Sequence, residues 1–490
     1  MPGRVGTFCL VLHSHLPWLA HHGRWPVGEE WLYQAWAHSY LPLIDLLRQL
    51  AAEGRRDLLT LGVTPVLAAQ LDDPYCLRGM HDWLGGWLLR AQFAAGRTGL
   101  REVAAREYRA ASAALDGFEQ RWRHGGSPVL RELVDGGVVE LLGGPLTHPF
   151  QPMLHPPVRA FALAEGLADT ALRLGCRPEG IWAPECGYAP GMEDGYAEAG
   201  VHRFLVDGPA LGGDTAFARP VGSSGVVCFG RDLEVTYRVW SPRSGYPGDP
   251  AYRDFHTFDH PTGFKPARVT GRQVAQPDKE PYDPGLARHA VGKHVDDFVT
   301  VVHDRLRALA DQHGRPALIV AGYDTELFGH WWHEGPAWLD GVLRTLPETG
   351  VRVTTLRGAL ASVLGPPVEL PASSWGSGKD WRVWNGEPVA DLVADHDALQ
   401  RELLEGLPAP GSARDPVADQ AVREALLALS SDWAFMVSKN SAADYAHRRA
   451  AEHLARARAL LTGPAPADQV ARWRTEAPFG GLDARRLGRC

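Results

Sequence analysis

Cysteine is scarce in this chain: six among 490 residues, at Cys9, Cys76, Cys176, Cys186, Cys228 and Cys490, with no CxxC pair. That spacing argues against a zinc ribbon or a disulfide framework and reads as buried thiols in a reducing compartment. No stretch reaches the ~18 uninterrupted apolar residues that a membrane span requires. The apolar run at 5–12 ends in His13, His15 and Pro17. It is too short and too polar at its end for a signal peptide, so a cytoplasmic location and no membrane partner are expected. Long Lys/Arg runs are also missing, and the formal net charge is −8. The chain therefore carries no electrostatic footprint for nucleic acid, and a neutral or weakly charged substrate fits better.

What the chain has is length, a 45% hydrophobic share, 54 Gly, 38 Pro and 17 Trp. The length allows one large catalytic domain plus a smaller one, because single cores stop growing near ~250–300 residues. Tryptophan is about two to three times as frequent as in average chains. Short apolar runs at 5–12, 58–63, 138–142, 180–184, 204–206, 317–321 and 352–355 read as buried strands. Helical spacing covers 31–50, 91–121, 158–174, 191–199, 293–313 and 338–346. This alternation predicts an α/β fold with a parallel sheet, open or closed. In a closed barrel the chemistry sits at the C-terminal strand ends. His13, His15, Thr64, Thr147, His148, Glu185, Asp207 and Asp324 follow the strands and would share one mouth. Residues 210–282, rich in Gly, Pro and aromatics, read as an insert without regular structure. The predicted division is a catalytic domain at 1–388, a small helical domain at 389–462 with helices at 391–407, 416–437 and 442–461, and a poorly ordered tail at 463–490.

Glu185 stands in WAPECGY at 182–188 and Asp324 in GYDTELFGHWW at 322–332. Both acids end a predicted strand among aromatic residues. Two carboxyls facing each other are what glycosidic bond cleavage requires: one protonates the leaving oxygen, the other attacks the anomeric carbon or activates water. Apolar surroundings raise a carboxyl pKa and keep it protonated near neutrality. The plainer alternative for either acid alone is a helix cap or an Arg partner. His13 and His15 alternate on a strand end and so point to one side, with His148 at another strand end. They suit sugar hydroxyls, a metal or a structural pair. A barrel hydrolase using a metal has a similar layout, but no bridging Lys stands at a mid-barrel strand end. Trp240, Trp375, Trp381 and Trp384 lie among Gly and Ser, where indoles stack on sugar faces or plug a domain junction.

On these motifs the sequence resembles glycoside hydrolase family 57, in particular its 1,4-α-glucan branching enzymes, from His13 to about His453. HSHLPW at 13–18, GGPLTHPF at 143–150, WAPECGY at 182–188, YDTELFGHWW at 323–332 and SSDWAF at 430–435 look like the five motifs of that family. The resemblance implies an incomplete (β/α)7 barrel with an α-helical C-terminal domain, and retaining chemistry with no metal or other cofactor. It implies Glu185 as nucleophile and Asp324 as general acid/base. His13, His15, His148, Trp240, His330, Trp375, Trp384 and Asp432 would hold an α-1,4-glucan donor and acceptor. An α-glucan hydrolase or a 4-α-glucanotransferase is the alternative within the same fold. A catalytically silent glucan-binding protein is disfavoured because both carboxylates are present. Branching members carry a long loop with a tyrosine near its tip over the cleft. The corresponding stretch is taken here as 211–227, which is short and has neither Tyr nor Trp. A thinner lid admits more water, so an elevated share of hydrolysis is expected.

Overall fold

The computed structural model describes residues 5–241, 244–407, 413–463 and 466–489; Cys490 lies outside them. Among the described residues nine strands form: β1 Gly6–Ser14, β2 Leu59–Val63, β3 Val139–Leu142, β4 Gly180–Ile181, β5 Arg203–Asp207, β6 Arg219–Pro220, β7 Val227–Arg231, β8 Leu318–Asp324 and β9 Val351–Val353. One sheet runs β3-β2-β1-β8, with β9 also on β1, and the other runs β4-β5-β7-β6. All pairings are parallel except β6 with β7. Every residue of β1 is buried, because parallel strands are covered on both faces. That is why these strands read as continuous apolar runs.

The two sheets join at both edges. Gly143, just past β3, accepts from Trp182 N–H and donates to Gly180 O, each at 3.0 Å. Asp232, just past β7, donates to Val320 O of β8 at 2.9 Å. The ring β1-β2-β3-β4-β5-β7-β8 then returns to β1, a (β/α)7 barrel one strand short of eight. Long helices wrap it, among them Pro156–Leu174 and Pro284–His313. The C-terminal part is helical: Ala390–Gly406, Pro416–Ala428, Ser431–Ser438 and Ala443–Thr462. A buried polar clamp fastens it to the barrel. Arg449 donates to Trp18 O at 2.9 Å, to Tyr445 Oη at 3.0 Å and to His453 Nε2 at 2.7 Å, and His453 Nδ1 meets Glu424 at 2.7 Å.

Four expectations need correction. The stretch 210–282 is not structureless: it contains β6, β7 and the helix Leu233–Val239. β7 is only five residues long and owes its conformation to pairing with β5, a tertiary cause that a local pattern does not carry. The predicted helix 416–437 is broken at Leu429 and Ser430, where Ser430 is extended (ψ 135°) and bridges to Pro149. The tail carries the helix Ala467–Glu476, which buries Val470 and Trp473, and Trp18 Nε1–H donates to Glu476 O. Finally, 211–227 does not overlie the barrel mouth. Ala216 O accepts from Leu318, the first residue of β8, whereas Asp324 is its last. At ~3.3 Å rise per residue the two ends stand roughly 20 Å apart. No helix among the described residues is long and apolar enough to cross a membrane.

Candidate active site

The strand ends converge as the barrel rule requires. β1 delivers His13, and His13 and Asp324 are register partners on the adjacent strands β1 and β8. The chain then turns sharply after β4. Glu185 and Cys186 both have left-handed backbones (φ 62° and 49°), a conformation that costs an L-residue roughly 1–2 kcal/mol. Surrounding contacts hold the turn. Cys186 N–H donates to Ala183 O at 2.8 Å, Gly187 N–H to Pro184 O at 2.9 Å, and Trp375 N–H to Glu185 O at 2.8 Å. Gly187 is needed for closeness: a Cβ there would lie 2.6 Å from the Phe150 ring. Strain of this kind at a buried carboxyl makes Glu185 a candidate functional position.

The carboxyl of Glu185 is gripped at both oxygens. Ser431 Oγ–H donates to Oε1 at 2.8 Å and Trp375 Nε1–H to Oε2 at 2.7 Å. Behind it stands a stack of rings. His15 and His148 have centroids 3.7 Å apart, and His13 lies 4.5 Å from Trp182 at 9°. His13 Nε2 meets His148 Nε2 at 3.0 Å, and His148 Nδ1 meets Ser431 Oγ at 3.0 Å. His15 bonds Thr64 Oγ1 at 3.0 Å and Asp432 Oδ2 at 2.9 Å. Its backbone N–H donates to Glu326 Oε1, which also takes the Tyr40 hydroxyl. In contrast, Asp324 makes no side-chain hydrogen bond among the described residues.

Burial raises Glu185 to about 7, opposed by the bonds from Ser431 and Trp375. Burial raises Asp324 to about 6, opposed by Arg231 and His15. Glu326 goes up to about 8 through burial and the neighbouring charge of Asp324. His13 and His148 fall well below their ordinary value, first through burial and then through neighbouring imidazoles. His15 and Asp432 behave as an ion pair. Burial alone would lower His15, but Asp432 holds it above its ordinary value, and His15 in turn brings Asp432 down to about 2. Donors aimed at both oxygens favour a carboxylate, so Glu185 suits a nucleophile. Asp324, free of such donors, suits a group that holds and releases a proton.

The remaining candidates separate. Trp375 touches Glu185, and the guanidinium of Arg231 lies 4.9 Å from its ring. Arg231 also pairs with Asp207 at 3.0 Å, and Lys379 with Asp207 at 2.6 Å. Trp384 is buried and stacked on Phe150 at 4.7 Å, so it braces the wall rather than offering an open face. Trp240 caps the helix Leu233–Val239 and is exposed. Lys379, 5.8 Å from the Tyr237 ring, ties that helix to the mouth. His330 does not join the stack. A Cβ on Gly329 (φ 100°) would strike His38 O at 1.8 Å, so only glycine permits the turn that sends His330 elsewhere. It lines a separate cavity of about 490 Å³ with Trp25, Trp83, Trp87, Phe258 and Trp331. Ser431, Tyr40 and Trp25 escaped the sequence reading, although Ser431 lies inside the fifth quoted motif. His15, His148 and Asp432 place three ligand atoms within 4.8 Å of one another. Holding a cation would compete with the hydrogen bonds these side chains already make.

The chain matches the model of glycosyl hydrolase family 57 over residues 9–245 and that of the 1,4-alpha-glucan branching enzyme C-terminal region over residues 396–476. It is 59% identical to a probable 1,4-alpha-glucan branching enzyme of Mycobacterium tuberculosis, over 98% of both chains. A family 57 branching enzyme of Pyrococcus horikoshii superposes with a TM-score of 0.93 at 30% identity, covering 99% of this chain and 97% of that one. The alpha-amylase AmyC of Thermotoga maritima superposes with a TM-score of 0.87 at 27% identity, covering 99% of each. With its barrel, the buried acids at its strand ends and these likenesses, the chain belongs to glycosyl hydrolase family 57.

Proposed function

We propose that this protein is a 1,4-α-glucan branching enzyme, cleaving an α-1,4 bond and forming an α-1,6 bond through a covalent glycosyl-enzyme. The observation that carries it is the unequal treatment of the two acids: among the described residues Glu185 is held at both oxygens and Asp324 at neither. Glu185 attacks the anomeric carbon while Asp324 gives its proton to the departing O4. The released chain end leaves with that proton, and Asp324 is now a carboxylate. A glucan 6-hydroxyl then enters, loses its proton to Asp324 and takes the anomeric carbon from Glu185. Both residues return to their starting states, so the glucan supplies every atom exchanged.

The aromatic cavity of about 490 Å³ falls in the size range of ligand pockets and offers indole faces to sugar rings. The branching reaction takes an α-1,4-glucan of amylose or glycogen type as both donor and acceptor. Five free cysteines among the described residues fit a reducing compartment, and we infer a cytoplasmic location from them. Hydrolysis is the second reading, favoured by the full-length likeness to an alpha-amylase. It has lost the support of a thin lid, because residues 211–227 descend to the far end of β8.

The test is amylose digestion followed by linkage analysis and reducing-end titration. Branching predicts new α-1,6 linkages outpacing new reducing ends. Reducing ends accumulating without α-1,6 linkages would replace branching with hydrolysis.

A further inference from the structure

We propose that Ser431 is a positioning residue of this reaction, the last link of a directed hydrogen-bond chain from His13 through His148 to Glu185 that fixes the facing of the Glu185 carboxylate. The inference rests on the function proposed above. Its direction follows from counting hydrogens. An ionised carboxylate only accepts, so Ser431 spends its one hydrogen on Glu185 Oε1, at 2.8 Å. Toward His148 Nδ1, at 3.0 Å, the same hydroxyl can then only accept, and Nδ1 carries the ring hydrogen. A neutral His148 with Nδ1–H has a bare Nε2, so His13 Nε2, at 3.0 Å, is the donor. That leaves His13 Nδ1 without a hydrogen, and it is the ring nitrogen that is buried with no partner. Reversing the tautomers would set two lone pairs against each other and seal an unpaired N–H in the interior.

The rings cannot turn to escape this order. His148 is clamped face to face with His15 and has a left-handed backbone, while His13 lies flat on Trp182. The titratable groups around Glu185 come from four places: His15 after β1, His148 after β3, Cys186 beside it and Asp432 from the helical part. Of the groups around it, Ser431 and Trp375 aim hydrogens at its oxygens. The terminal torsion of a glutamate is broad, and two donors on opposite oxygens remove that freedom. With one donor gone, the attacking lone pair spends less time aimed at the anomeric carbon. The hydroxyl of Ser431 has its hydrogen on Glu185 and a lone pair on His148, so its loss falls on the chemical step rather than on the hold over sugar.

The experiment compares wild type, Ser431→Ala and Ser431→Thr in the single-turnover release of fluoride from α-maltosyl fluoride, which reports glycosylation of Glu185 alone. Ser431→Ala should lose about tenfold to a hundredfold in the limiting rate of that release with the half-saturating concentration within about twofold, and Ser431→Thr should regain most of the loss. An unchanged limiting rate in Ser431→Ala, a half-saturating concentration rising in step with the loss, or threonine no better than alanine would each overturn the proposal. Branching is scored separately on amylose. A wild type that consumes the fluoride yet forms no α-1,6 linkage defeats the functional reading and leaves the Ser431 comparison standing.

Discussion

Ser431 and Glu185 are 246 positions apart in the chain and meet at 2.8 Å. One comes from the turn after β4 and the other from the helical region beyond residue 429, so the candidate nucleophile is held jointly by barrel and C-terminal part.

Exchanging either acid should separate their roles. Glu185→Gln is expected to lose at least about a thousandfold in kcat on amylose, and equally on α-maltosyl fluoride, because no covalent intermediate forms. Asp324→Asn should lose a similar factor on amylose but keep a clearly faster first-turnover release of fluoride, whose leaving group needs no proton, because Asp324 then acts only in the second step. A first-turnover release slowed as much as amylose cleavage would remove Asp324 as the proton donor.

Activity should follow a bell with its summit near pH 6–7. The working state has Glu185 ionised and Asp324 protonated, and burial raises the two acids to about 7 and about 6. Below the summit both acids are protonated, above it both are ionised, and each limb falls about tenfold per unit. Stability supplies a second reading. The folded value of Glu185 is raised above its unfolded one, so its contribution is favourable at low pH and declines as pH rises from about 4.5 through about 7. The Tm of wild type should therefore drop relative to Glu185→Gln between pH 5 and pH 8; scanning calorimetry showing a constant gap would contradict this.

Two tryptophans should behave oppositely. Trp25 is 74% exposed on the rim of the aromatic cavity. Trp25→Ala should cost about 1 kcal/mol of stacking, seen as a severalfold rise in KM with Tm unchanged. Trp384 is buried against Phe150, and Trp384→Ala should cost about 3–5 kcal/mol of stability and lower Tm. A stable Trp384→Ala with a raised KM would make it a binding platform after all.

The clamp between barrel and helical part turns on Arg449. Arg449→Met fills similar space but strands Trp18 O and Tyr445 Oη. A loss of about 2–4 kcal/mol is expected by urea unfolding, together with reduced kcat through a displaced Ser431. Full stability would mean the contact is incidental.

The strands of the ring were legible wherever burial on both faces wrote an uninterrupted apolar run, as in β1 and β8. β7 was not, because Val227–Arg231 is short and borrows its shape from β5. Of the mouth residues, His13, His15, Thr64, His148, Glu185 and Asp324 could be grouped from position alone, since every strand of a parallel barrel ends on one side. His330 could not be placed, because only the turn at Gly329 redirects it. Nor could Ser431, because 416–437 has unbroken helical spacing and the break at Ser430 answers to Pro149 on the barrel. The burial of Trp384 likewise depends on Phe150, 234 residues earlier.

The break at Ser430 bears on the order in which this protein comes to life. A ribosome makes the barrel first, and Glu185 has then only one of its two grips, through Trp375. Until the residues beyond 429 leave the ribosome and dock, the nascent chain holds an unfinished centre, which spares nearby polymer from a half-built scissor.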